Sequence, residues 1–384
     1  MRIVCLGLIA AALPSWLLAQ QPAPLPPSTT VKQEPTAWRD PAPHRMRFVT
    51  VDKGMRLEVL DWGGTGRPLV LLSGLWNTAH IFDDFALKLT PKYHVYGITR
   101  RGFGASSVPA TGYTADRLGD DVLAVLDSLK IERPVLVGHS IAGEELSSVG
   151  TRHPERVAGL IYLDAAGSDA YYDTVHGDFQ LDLNELQKNL EQLQTAPDTT
   201  LLTNLLQTEL PRFERELRQY QKDWLAVPFA GPLSKPPTPA DSASFPAYRA
   251  WWKRVRGLDV PEAELRQQYE ARPGGRVGPL RPKRPIARAI FEGEQKYGDI
   301  HVPILAIYAD PEDDDAALNN LDPAARAAYE AIDSAQTETQ AEAFEKGVTS
   351  AHVVRLPHAN HYVFLSNEKD VLGEMNAFLS SLPR

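Results

Sequence analysis

The chain has a single cysteine in 384 residues, Cys5, and it lies within an apolar N-terminal run. Met1-Arg2 supplies a short basic start, Ile3 to Ala19 is apolar apart from small polar breaks, and a small residue precedes Gln20-Gln21, the layout of a secretory signal. Residues 1–19 are therefore expected to be a signal peptide cut after Ala19, with an uncleaved anchor as the alternative, since Pro14 interrupts the run and Leu17 is a mediocre residue near the cut. Cys5 lacks the small residues that a lipoprotein signal places before its cysteine. Once that segment is removed, disulfides and cysteine metal ligands are excluded, and no stable membrane span is expected. Basic residues are also in short supply. Forty Lys and Arg stand against 49 Asp and Glu, a net charge of −9, and no basic stripe with interleaved aromatics exists to neutralise phosphates, which excludes a nucleic-acid partner. Internal repeats are absent, and the sequence carries no signal for oligomeric state.

What is present is a chain with 43% hydrophobic residues, enough for a substantial core. Residues 20–44 are proline-rich and aperiodic, and read as a linker. From residue 45 to 166 strands and helices alternate. Arg47–Val51, Met55–Leu60, Pro68–Leu72, Tyr93–Thr99, Pro134–Val137 and Val157–Leu163 read as strands, with Asp52-Lys53-Gly54 as a turn. Thr114 caps a helix in which Leu118, Val122, Val125, Leu126 and Leu129 recur at helical spacing. Residues 167–299 change character to long polar helical stretches, Leu181–Leu193 and Leu201–Trp224, a proline-rich break from Pro228 to Pro246, and a helix holding Trp251 and Trp252. Alternation resumes over 300–384 with strands Ile304–Tyr308 and His352–Leu356 and helices from Pro323 to Lys346 and Lys369 to Leu382. The expected fold is α/β, a mostly parallel sheet covered by helices, with a large helical insertion between two of its strands.

Chemistry concentrates at Gly138-His139-Ser140-Ile141-Ala142-Gly143. An apolar strand enters this turn and a helix leaves it, the context in which a serine is held exposed on a sharp bend. Small flanking residues let helix and strand backbones cross closely. Ser140 is thus the candidate nucleophile. A serine hydroxyl is weak at neutral pH and needs a base, with a third group to orient that base. His361, at the end of the loop Pro357–His361 and before the last helix, is the candidate base, His358 the runner-up, and His139 is read as packing. For the acid, Asp164 stands directly after an apolar strand and is the first choice; Asp310, at the end of the next strand, is the second, with Glu312 and a run of aspartates behind it. Several like charges cannot all be buried near one histidine, so that run is read as solvated loop. The tetrahedral oxyanion needs preorganised donors: the amide of Ile141 and, from the loop Ser73-Gly74-Leu75-Trp76, the amide of Leu75, with Trp76 next. Glu144, one helical turn past Ser140, is read as a partner of the helix dipole.

These segments together resemble the α/β-hydrolase family from about Arg45 to Leu382, the insertion mostly excepted. The serine turn is similar to its nucleophile elbow, Ser73-Gly74-Leu75 to its His-Gly oxyanion loop, Arg100-Arg101-Gly102-Phe103-Gly104-Ala105-Ser106 to its Arg-Gly-x-Gly-x-Ser turn, and His361–Asn367 to the loop of its catalytic histidine. Ser73 stands where histidine is customary. The usual family acid, in a Gly-x-x-Asp setting after the insertion, would fall here on Glu312, whereas a subset of the family places it where Asp164 stands. The resemblance implies that residues 167–299 form a cap over the serine, shaping an acyl or alcohol pocket that Tyr220, Trp224, Trp251 and Trp252 could line, although aromatics at helical spacing more often serve internal packing. It implies no metal and no organic cofactor. The expected activity is that of an exported serine hydrolase, periplasmic or secreted, acting on a small-molecule acyl substrate, a carboxylic ester or similar. An aminopeptidase-like enzyme, a cofactor-free lyase or haloperoxidase, and a non-catalytic binding protein on the same scaffold are the alternatives.

Overall fold

A computed structural model of the chain describes residues 38–226, 236–281, 284–313, 318 and 321–383. The segment 1–19 expected to be a signal peptide, most of the expected 20–44 linker and much of the Pro228–Pro246 break lie outside the described residues. Ten strands occur among the described residues: β1 (Arg45–Asp52), β2 (Met55–Gly63), β3 (Pro68–Leu72), β4 (His94–Ile98), β5 (Val135–His139), β6 (Gly159–Leu163), β7 (Tyr269–Arg272), β8 (Arg276–Leu280), β9 (Ile304–Ala309) and β10 (Ala351–Leu356). Eight form one sheet in the order β1-β2-β4-β3-β5-β6-β9-β10, and β7 and β8 pair separately as a hairpin. β1 and β2 run antiparallel to each other and β2 antiparallel to β4; every pair from β4 to β10 is parallel.

The central strands are apolar because both of their faces are covered. Leu69, Leu71, Val135, Val137, Ile161, Leu163, Leu305 and Ile307 join one core with Phe82, Phe85, Phe364, Met375 and Phe378. The alternate residues Val70, Leu72, Leu136, Leu160, Tyr162, Ile304 and Ala306 join the other with Val122, Leu126, Leu146, Val149 and Phe344. The covering helices are α1 (Asp83–Leu89), α2 (Ala115–Leu129) and α3 (Ala142–Arg152) before the insertion, and α10 (Pro323–Gly347), α11 (Val363–Ser366) and α12 (Glu368–Ser381) after it. Thr114 caps α2 as its sequence suggests, its side chain accepting from the Arg117 amide.

Between β6 and β9 the insertion carries α4 (Phe179–Thr195), α5 (Thr199–Asn204), α6 (Leu210–Ala226), α7 (Phe245–Arg256), α8 (Glu262–Gln268) and α9 (Arg284–Phe291) along with the hairpin. A π-helical turn at Leu205–Glu209 joins α5 to α6, where the sequence pattern suggested one long helix. The aromatics of the insertion largely pack internally. Trp251 is buried beside Tyr248 and Val255 in the core, Trp252 packs against that core, and Tyr220 stacks on Phe179 at 5.0 Å; the Trp224 side chain lies outside the described residues. No helix among the described residues is long and apolar enough to cross a membrane.

The tightest helix-to-backbone approach in this region occurs at Gly143. A Cβ added there would sit 1.8 Å from the carbonyl oxygen of Ala165, a backbone atom that cannot swing aside. Gly143 thus sets how closely α3 lies to the chain leaving β6. Gly143→Ala is expected to destabilise the fold by about 1–3 kcal/mol, read as a lower urea midpoint at unchanged slope; an unaltered midpoint would show that the approach is not a constraint.

Candidate active site

Sheet register brings the candidate residues together. His139 pairs with Leu163, and Leu163 with Ile307. One residue further on, the Ser140 amide donates to Leu163 O (3.4 Å) and the Asp164 amide to Ile307 O (2.7 Å), so Ser140 and Asp164 lie on neighbouring strand ends. Both adopt positive φ, 55° for Ser140 and 49° for Asp164, a conformation costly for residues other than glycine and concentrated where side chains must project from a sharp turn. On the far side, Leu356 pairs with Ala309, and the loop after β10 returns over the strand ends carrying His361.

His361 Nε2 lies 2.9 Å from Ser140 Oγ, and His361 Nδ1 lies 2.6 Å from Asp164 Oδ2. The Asp164 side chain is fully buried, and its other oxygen accepts the Ala309 amide at 3.0 Å. Asp310, the second-choice acid, takes a different place: its amide extends the ladder to Leu356 O, and its carboxylate accepts the Ser334 hydroxyl on α10 at 2.8 Å. Glu312 binds the histidine loop rather than the ring's Nδ1, accepting the His361 amide at 2.9 Å. His358 is exposed at φ 58°, its amide bonded to Pro311 O. His139 packs as expected, buried beneath His361 with ring centroids 4.7 Å apart, and it also donates from Nε2 to His361 O at 3.0 Å.

The loop after β3 abuts the serine. β3 pairs with β5 so that Leu72 lies opposite Gly138, and a Cβ on Gly74 would be 3.0 Å from Ser140 Cβ and 2.8 Å from His139 Nδ1. Only glycine lets the backbone carrying the Leu75 amide come this close. Ile141, the other proposed donor, occupies the N-terminal flank of α3. Arg100 and Ser73, from motifs marked in the sequence, and Glu264, which the sequence does not mark, hold this loop. Arg100 donates to Ser73 O at 2.9 Å and forms a buried ion pair with Glu145 on α3, tying loop to elbow helix. Ser73, in place of the family's histidine, donates to Asn77 O at 3.2 Å. From the insertion, buried Glu264 on α8 accepts from Asn77 Nδ2 and from the Thr78 amide, each at 3.0 Å. Asn77 Oδ1 in turn meets the Tyr362 hydroxyl at 3.0 Å. Beside the loop, Leu75 and Trp76 pack against an apolar cluster of Phe103, Tyr113, Ile141 and, from α9, Ile286 and Ile290. A cavity of about 400 Å³ elsewhere in the insertion, lined by Tyr172, Glu185, Arg212 and Lys296 among others, includes none of these residues.

The sequence model of the alpha/beta hydrolase family matches residues 69–374, most of the chain. This protein belongs to the alpha/beta hydrolase family. Similar stretches occur in the non-heme chloroperoxidase of Streptomyces lividans, 34% identical over 123 residues, or 31% of this chain and 45% of that protein. The 2-hydroxymuconate semialdehyde hydrolase of Pseudomonas sp. (strain CF600) is 34% identical over 118 residues, 30% of this chain and 41% of that protein. The chain thus aligns with less than half the length of these curated relatives. Among solved structures, E-2-(acetamidomethylene)succinate hydrolase superposes with a TM-score of 0.56 at 17% identity, covering 88% of this chain and 100% of that one. At such identity the likeness concerns the fold alone.

One acidic group of this hydrolase stands apart from the hydrogen-bonded set. Glu144, one turn past Ser140, is fully buried, and neither carboxylate oxygen meets a hydrogen-bond donor among the described residues. Burial first, then the negative charges of Glu294, Asp169 and Glu145, hold its carboxyl well above the usual range. The same burial and like charges work against the charged form that a dipole role at the helix end would use. A folded-state value raised above the unfolded one gives stability that is complete below about pH 4.3 and is lost as pH rises toward the folded value. Glu144→Gln, which has no such proton, is expected to gain in melting temperature relative to the parent chain between about pH 5 and 8. A difference that stays constant across that window would contradict the assignment.

Proposed function

We propose that this alpha/beta hydrolase is an exported serine hydrolase that cleaves a carboxylic ester or a similar small acyl compound through an acyl-enzyme. The observation that carries the reading is the relay of two hydrogen bonds, 2.9 Å from Ser140 Oγ to His361 Nε2 and 2.6 Å from His361 Nδ1 to Asp164. In this reading Ser140 Oγ attacks the acyl carbon while Nε2 takes its proton, and Asp164 accepts the Nδ1–H and stabilises the imidazolium. The amides of Leu75 and Ile141 receive the negative charge that develops on the carbonyl oxygen. Collapse breaks the bond to the leaving alcohol, which takes the proton from Nε2. Water then attacks the acyl carbon, again losing a proton to Nε2, and the released serine recovers it.

Residues 167–299 act as a cap in this reading, which is supported by the hold of Glu264 on Asn77 and Thr78 and by the packing of Ile286 and Ile290 near Leu75, Trp76 and Ile141. An apolar wall beside the oxyanion donors suits an apolar acyl portion. Export rests on the basic start, apolar run and small residue of positions 1–19.

The test is hydrolysis of p-nitrophenyl esters of graded acyl length. Ser140→Ala and His361→Ala are expected to lose at least about 1,000-fold in kcat, and Asp164→Asn at least about 100-fold, while Asp310→Asn stays near the parent. A fluorophosphonate should label the parent chain and spare Ser140→Ala. Activity in folded Asp164→Asn equal to that of the parent would remove Asp164 from the mechanism, and failure of the parent to label would count against an activated serine.

A further inference from the structure

A second constellation of chemistry-bearing side chains lies on the other side of the oxyanion loop. Asp40 and His44 belong to the segment that precedes β1. His80 lies in a short 3-10 turn, Ala79–Phe82, and Asp83 opens α1 directly after it. Each of the four offers a nitrogen or carboxylate oxygen, and these atoms all fall within 4.8 Å of one another. His80 Nδ1 is 3.1 Å from Asp40 Oδ2 and 3.2 Å from Asp83 Oδ2; His44 Nδ1 is 3.1 Å from Asp83 Oδ1, and its Nε2 is 3.7 Å from Asp40 Oδ2. Zinc bonds to imidazole nitrogen and carboxylate oxygen of about 2.0–2.2 Å imply tetrahedral edges of about 3.3 Å between donors, so one donor atom from each residue, all within 4.8 Å of one another, would draw in slightly around an ion.

The surroundings are those of a built site rather than a surface cluster. The side chains of His44, His80 and Asp83 are only 6%, 4% and 3% exposed. Asp40 Oδ2 is shielded from solvent and, although close to His80 Nδ1, makes no hydrogen bond of good geometry there. That is the behaviour of an oxygen directed at a shared centre instead of along a ring N–H. An outer ring of partners completes the arrangement. Trp62 Nε1 donates to Asp83 Oδ1 at 3.0 Å, and the fully buried Glu58 carboxylate lies 3.5 Å from His80 Nε2. His44 and His80 both meet Asp83 through Nδ1, and a bound ion would take the lone pairs of those nitrogens in place of these hydrogen bonds.

We propose that Asp40, His44, His80 and Asp83 bind a structural Zn²⁺ ion that staples the segment before β1 to the turn following the oxyanion loop. Two nitrogen and two oxygen donors filling four positions match the closed geometry of structural zinc sites. The ion touches no substrate; its effect reaches the active site through Thr78, two residues before His80 and already held by Glu264.

The experiment uses the full-length chain, stripped with a chelator, dialysed and titrated with Zn²⁺. Elemental analysis is expected to return about one zinc per chain, and excess zinc to raise the melting temperature by about 5 °C or more. Replacement by Co²⁺ should give the strong visible bands of tetrahedral coordination. Asp40→Asn and His44→Gln, both outside the sheet, should keep the parent's circular dichroism and lose the metal. Glu312→Gln should retain it, which separates this site from the other close donor set, Asp164, Glu312 and His361. No stoichiometric zinc with an unmoved melting temperature would overturn the proposal and leave the four residues as a network of hydrogen bonds and ion pairs. Metal kept by Asp40→Asn and His44→Gln but lost from Glu312→Gln would overturn it equally.

Discussion

The parallel register of β5, β6 and β9 is the constraint on which the site depends. Because His139, Leu163 and Ile307 stand side by side, the next residues of β5 and β6, Ser140 and Asp164, leave the sheet together at positive φ. A slip of one residue would turn every side chain of a strand to the opposite face. Here such a slip would exchange Val135 and Val137, which face one core, with Leu136, which faces the other. Core packing on both faces therefore specifies the register, and the register aims the hydroxyl and the carboxylate. The chemistry at the strand ends inherits its precision from the apolar alternation beneath it.

Buried charge is used in this protein for position. The Arg100–Glu145 pair lies almost fully out of solvent, where the cost of desolvation offsets much of the attraction. Its visible consequence is geometric, since the same guanidinium also holds Ser73 O. Glu264 does the equivalent from above, spending its carboxylate on Asn77 and Thr78. The loop after β3 is thus gripped from α3 on one side and from the insertion on the other. Separating the insertion from this loop would leave the buried Glu264 carboxylate without these donors, which is costly.

Much of the architecture was legible because it rests on local signals. Apolar runs bounded by Gly, Pro and Asp marked the eight strands of the main sheet, and Gly138–Gly143 announced the serine turn. Legibility declined inside the insertion. The hairpin β7–β8 and helix α8 carry polar, arginine-rich sequences without clear periodicity, so their placement follows from packing on the core. Glu264 belongs to this illegible part: a glutamate in a polar helix gives no sign that it is fully buried. Asp40, His44, His80 and Asp83 were equally silent, because two short pairs separated along the chain carry no recognisable ligand spacing. Glu144 is illegible for a related reason: its helical position predicts a dipole partner, and only the fold shows that its carboxyl is buried among other acids that raise its pKa.

The division of labour between the candidate carboxylates shows in the atoms each one meets. Neighbouring strands lie about 4.8 Å apart, so an acid on β6 stands next to the serine strand, whereas one on β9 stands a further strand away. Asp164 and Glu312 each bring a carboxylate oxygen within 4.8 Å of a His361 ring nitrogen, so reach alone does not choose between them. The hydrogen bond from Nδ1 goes to Asp164, which is itself fixed by the Ala309 amide of β9. The acidic segment after β9 is then free for another duty, which Glu312 performs by accepting the His361 backbone amide. One carboxylate orients the ring and another anchors the loop from which the ring hangs. Orientation requires a buried group with few competing donors, which Asp164 is; anchoring requires reach to a backbone amide, which Glu312 has.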